Sequence, residues 1–123
     1  MQATQNNPDR QAQLAVAHDI YQRMQVMQHQ RAAVQASGLP ALGRLVIVAQ
    51  RNSGQSGIVA RFLLGLYDGH TYPFNLTELR GLDQELHSDC MAVLIMDWSP
   101  EREVHEMISD GQRIFQSFIG RWV

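Results

Sequence analysis

The chain has 123 residues, 45% of them hydrophobic and 18% charged, which suits one globular domain with a sizeable core and excludes dependence on disulfides or a metal for stability. The single cysteine, Cys90, excludes an internal disulfide, and the longest unbroken apolar run, Met91 to Met96, is far short of the roughly 18 to 20 residues of a bilayer span, which argues against a membrane segment. The net charge of −2 conceals polarity: residues 1–61 carry six arginines against two aspartates, net +4, whereas residues 62–123 carry four arginines against ten carboxylates, net −6.

Such polarity pairs one half with the other, pairs two copies, or presents a basic face to an anionic partner. All ten basic residues are arginine, a uniformity better explained by coding bias than by binding chemistry. The opening MQATQNNPDR lacks the charged-then-apolar order of a signal peptide, so the cytoplasm is the expected compartment.

Asn7-Pro8-Asp9 supplies a cap acceptor, a proline that needs no donor, and an acid at the positive end of a helix. A helix over 8–36 follows. Val16, Ile20, Met24, Met27 and Val34 recur at spacings near 3.5, widened by Leu14, Ala17 and Tyr21 and interrupted by Arg31. Nine of the fourteen glutamines lie between Gln2 and Gln35, so this segment reads as an N-terminal arm, residues 1–38, suited to self-association through Val16, Ile20, Met24 and Met27.

Ser37-Gly38-Leu39-Pro40 is expected to stop the helix, because glycine accepts a left-handed cap and proline cannot continue it. The remainder, 39–123, reads as an all-α globular domain. Leu42, Leu45, Val46 and Ala49 mark a helix over 41–51; the β-branched run at 45–48 also fits a strand, but nothing else strand-like is present to pair with it. Ser56 is the expected cap of a helix over 56–68, and the loop His70 to Phe74 follows. Asn75 and Glu78 form a capping-box pattern opening a helix over 76–97, with a break near Gly81-Leu82. A last helix over 100–121 carries the clearest 3.6-residue periodicity, and its Gly111 either allows a close helix contact or divides the segment.

The stretch from Tyr72 through Asp83 (YPFNLTELRGLD), then Asp89-Cys90-Met91-Ala92-Val93-Leu94 with Asp97, then Arg102-Glu103-Val104-His105, resembles a family of small uncharacterised proteins of proteobacterial plasmids and integrative conjugative elements. The likeness covers roughly residues 41–110. Asn75 stands where the family pattern has an acid, a neutral change at a helix cap, and His87 where it has an aromatic residue. The resemblance implies a bacterial, cytoplasmic, mobile-element context and no particular activity.

Four constellations bear on chemistry. His87 and Cys90 at i,i+3 and Glu101 and His105 at i,i+4 have donor types suited to zinc, if two helices face each other. The same His87 and Cys90 with Asp89 read as a nucleophile set, but the acidic and apolar setting opposes a thiolate. Residues 44–67 resemble a helix-turn-helix spacing in which Arg44, Arg51, Gln55 and Arg61 would meet nucleic acid, although the second helix offers few polar side chains. Tyr72 and Phe74 with Asp83, Asp89 and Glu103 form a candidate partner-binding set, aromatic anchors beside an acidic face. These signals favour a non-enzymatic interaction protein without a cofactor, accessory or regulatory to a mobile element, which associates with itself and with another protein. A DNA-binding regulator is the alternative and a metal-dependent enzyme the third reading.

Overall fold

The computed structural model describes residues 7–123; the first six residues, which the sequence places in the arm and in which it finds no signal peptide, lie outside the described residues. The described chain is all α: α1 (Pro8–Ala49), α2 (Gly54–Tyr67), a 3₁₀ helix at Leu76–Gly81, α3 (Gln84–Asp97), a 3₁₀ helix at Val104–Met107 and α4 (Gly111–Trp122). No strand occurs among these residues, and the run at 45–48 is helical.

The expected stop at Ser37-Gly38-Leu39-Pro40 does not occur, and the two helices expected over 8–36 and 41–51 are one. Pro40 removes the N–H that would bond to the carbonyl of Ala36, an interior cost of about 3 kcal/mol. Both residues are exposed, so water can reach the released carbonyl. On the opposite side Ala41, Leu42, Leu45, Val46 and Ala49 are buried in the core, and each large apolar side chain so placed contributes roughly 1.5–3 kcal/mol. Burial outweighs the break. Gly38 is not a left-handed cap, since no glycine has positive φ; it lets α3 approach, and a Cβ there would lie 2.7 Å from Met96 Sδ and 2.8 Å from its Cβ.

The chain divides into two compact units, the first ending at Ala33 and the second spanning Val34–Val123. In the second unit α2 is central, packed against α3, α4 and both 3₁₀ helices, with Val59, Ala60, Phe62, Leu63 and Leu64 buried. Its cap is Ser53 rather than Ser56. Ser56 is the third helical residue and completes a reciprocal box, each serine Oγ accepting the other's backbone N–H at 3.1 Å. Asn7 and Asn75 cap as expected, accepting from Asp9 N at 2.9 Å and Thr77 N at 3.0 Å.

The segment 100–121 is divided at Gly111, and residues 100–103 are not helical. A Cβ on Gly111 would fall 1.7 Å from the carbonyl oxygen of His105, so only glycine permits the 3₁₀ helix to fold back on the start of α4, and the preceding Asp110 takes a left-handed φ of 60°. The other end of α4 is fastened to the end of α1, where the Arg121 guanidinium donates to the carbonyls of Gln50 at 3.3 Å and Arg51 at 3.0 Å and to Asn52 Oδ1.

α1 contains an 18-residue window of mean hydropathy 1.5, 33% of it buried in the structure, and is by length and composition apolar enough to cross a membrane. A count of unbroken apolar residues does not reveal this, because Arg44 and polar residues interrupt the runs. The buried positions of α1 belong to the core described above.

Two helical glycines separate packing from propensity. Gly38→Ala should destabilise by about 1–3 kcal/mol through overpacking against Met96, whereas Gly43→Ala, where a Cβ meets nothing within 4 Å, should stabilise by about 0.5–1 kcal/mol. Denaturant unfolding of the two variants checks the opposite signs.

Candidate interaction surfaces

Two of the four residues expected to meet nucleic acid, Arg44 and Gln55, are bonded instead to two of the expected partner-binding residues, Asp89 and Asp83. Arg44 on α1 grips Asp89 on α3 with two parallel bonds, Nε to Oδ2 at 3.0 Å and Nη2 to Oδ1 at 2.9 Å. That bond and the charge of Asp89 hold the Arg44 guanidinium above its ordinary pKa. Arg61 on α2 donates to Glu78 in the first 3₁₀ helix, Nε to Oε1 at 3.1 Å and Nη2 to Oε1 at 2.5 Å, so Glu78 serves this pair rather than returning to cap Asn75. Gln55 accepts from the Asp83 backbone N–H at 2.7 Å, while the Asp83 carboxylate caps α3 by accepting from Leu86 N at 2.8 Å.

Arg51 is exposed and lines an open groove of about 750 Å³ with Arg44, Ile47, Leu86 and Asp89. The helix that would enter a DNA groove is α2, whose residues Ser56, Gly57, Val59, Ala60, Phe62, Leu63 and Leu64 are buried. A helix embedded in the core cannot present a face to base edges.

The residues grouped for zinc are not brought together. Cys90 is buried while His87, three positions earlier, is exposed. Glu101 lies outside any helix, so the expected i,i+4 face with His105 does not exist. Among the described residues no three His, Cys, Asp or Glu side chains are placed to hold a metal ion. Burial, with the Asp89 charge adding to it, pushes the Cys90 thiol up to about 12, so at neutral pH it is a small apolar core group rather than a nucleophile. His105 packs edge-on against Tyr67, ring centroids 4.9 Å apart, and its Nδ1 is buried without a protein partner, as is Trp122 Nε1.

In the aromatic loop, Phe74 is half-buried and meets Phe62 edge-on at 5.6 Å. Tyr72 is half-buried and lines a small cleft of about 170 Å³ with Arg61, Leu64 and Trp122. Glu103 is exposed; its backbone N–H donates to Glu106 Oε1 at 3.0 Å. Burial and the Glu103 charge hold the Asp97 carboxyl above its ordinary value.

Two apolar surfaces stay uncovered. In the first unit Val16, Ile20, Met24 and Met27 are between 51% and 60% exposed. In the second, Leu94, Ile95 and Trp98 form an apolar depression at the end of α3, with Trp98 87% exposed. Periodicity alone misses this second surface, because it assigns Leu94 to the core face with Cys90 and Val93. The i,i+4 pair Leu94 and Trp98 is the signal that could have found it.

A family model described as a family of unknown function (DUF7673) matches residues 39–123. No curated protein and no solved structure matches the chain.

Cys90 should resist iodoacetamide at mildly alkaline pH in the folded chain and react fully in guanidinium chloride, as read by mass spectrometry. A second expectation concerns pH. A carboxyl whose folded pKa is raised binds its proton more tightly folded than unfolded, so stability falls as pH rises from the ordinary value of 3.8 through the folded value. Asp97→Asn should therefore raise the unfolding midpoint at neutral pH, where Asp97 is also a poor charge at a helix C-terminus, and should give no gain below the ordinary value.

Proposed function

The chain belongs to the family of unknown function DUF7673, and we propose that it is a non-enzymatic interaction protein, an accessory or regulatory factor of a bacterial mobile genetic element, that works in the cytoplasm as a self-associated assembly. The observation that carries the reading is the exposed stripe of Val16, Ile20, Met24 and Met27 on α1. Their spacing of four, four and three is that of a helix seam made to meet another helix, and each side chain fully removed from water would contribute roughly 1.5–3 kcal/mol.

The chemistry of the second unit supports an interaction role over catalysis. Its cysteine is buried as a thiol and its acids Asp89 and Glu78 are engaged by arginines. The DNA-binding alternative loses support for the same reason, since Arg44, Gln55 and Arg61 are engaged within the chain and α2 is a core helix. The mobile-element context rests on the resemblance carried by YPFNLTELRGLD and the residues that follow it.

Sedimentation of the full chain at tens of micromolar should show a dimer or larger species. Ile20→Glu with Met27→Glu should shift it to monomer with little change in helical circular dichroism, because both positions are exposed in the single chain. A wild-type chain that sediments as a monomer overturns the self-association.

A further inference from the structure

We infer that the apolar patch of Leu94, Ile95 and Trp98, in an acidic stretch of the chain, receives residues 8–33 of a second copy of this chain. This rests on the self-association proposed above and specifies the surface that the stripe on α1 meets.

The patch follows from the register of α3. Val93 and Met96 turn into the core, which leaves Leu94 at 43% exposure, Ile95 at 62% and Trp98 at 87% together on the outside. A lone exposed leucine needs no explanation, whereas a tryptophan beside two aliphatic side chains is the composition of a binding anchor. The chain that carries the patch and runs on from it is acidic: residues 94–106 hold one arginine against four carboxylates, net −3. Asp97 and Glu103 lie close enough for each charge to oppose the other's, and a basic occupant would relieve that repulsion.

Residues 8–33 have the complementary character. They hold three arginines against two aspartates, net +1, with Asp19 already engaged by Arg23 at 3.0 Å, and they carry the exposed stripe. Seven of the fourteen large apolar side chains left exposed among the described residues lie on these two surfaces. Pairing two stripes with each other would leave Trp98 in water; pairing stripe with patch covers both. A patch of three side chains falls short of the roughly 800 Å² per partner of a stable interface. Reciprocal exchange across a two-fold axis uses two such contacts and closes the assembly.

The test uses two full-length variants, Gln28→Cys beside the stripe and Ser99→Cys beside Trp98, both at exposed positions, with the native Cys90 buried and out of competition. Oxidation of an equimolar mixture should yield the mixed disulfide almost exclusively, well beyond the proportion that random pairing of the two chains gives. Adding Trp98→Glu to the Ser99→Cys chain should lower that yield at least about tenfold, with unchanged circular dichroism. If only Gln28→Cys homodimers form, the stripes meet each other, and this inference fails while self-association stands. If the wild-type chain is monomeric in sedimentation, both fail.

Discussion

The fold depends on the burial of one half of one helix. Ala41, Leu42, Leu45, Val46 and Ala49 place the C-terminal end of α1 in the core, and the helix runs unbroken through Leu39 and Pro40 to reach it. The proline then costs one backbone bond on the solvent side, where water substitutes for it, while Gly38 on the inner side admits Met96. The close α1–α3 approach sets the distance at which Arg44 reaches Asp89 with both arms of its fork. Arg121 then closes the end of α1 from the far side of the domain.

Those ion pairs offset part of the polarity of the chain internally. A basic half and an acidic half suggest two docking faces, one for anions and one for cations, yet Arg44 with Asp89 and Arg61 with Glu78 join the halves. Pairs with this much solvent contact add little stability. Their larger effect is on the surface, since a guanidinium held by a carboxylate no longer attracts phosphate and the carboxylate no longer attracts a cation. What distinguishes the remaining surfaces is apolar exposure on the stripe of α1 and at the end of α3, together with the acidic excess of the residues that follow α3.

Local rules were legible in the sequence where local interactions decide. Asn7 and Asn75 cap because an acceptor beside a free N–H needs no tertiary partner, and Gly111 marks a division because its tolerance for crowding is intrinsic. Long-range packing decided the rest. Nothing near Gly38 and Pro40 in sequence shows that Ala41, Leu42, Leu45, Val46 and Ala49 are buried in the core, so a stop signal that holds in an isolated peptide fails here. His87 and Cys90 share a spacing but not an environment, because three residues turn a helix by about 300°, a net offset of about 60°, and the edge of the buried face of α3 falls between them. Arg61 and Glu78, 17 positions apart, carry no local sign of their pairing. Trp98 marks the end of a helix in the sequence and a surface only in the structure, because exposure is a property of the fold and not of the residue.

The same packing explains why residues 8–33 are helical at all. Every one of them is exposed, so no core contact holds them, and a free helix of this composition is marginal in water. Nucleation is the costly step, and the buried half of α1 has already made it; extension then requires only one hydrogen bond for each residue fixed. A helix sustained in this way keeps its apolar side chains aligned on one face before anything covers them. Were a partner to bind there, ordering would already be largely complete, and little of the contact energy would be lost to fixing the backbone. An arm so prepared costs the single chain exposed apolar surface, and that cost falls only when another apolar surface meets it.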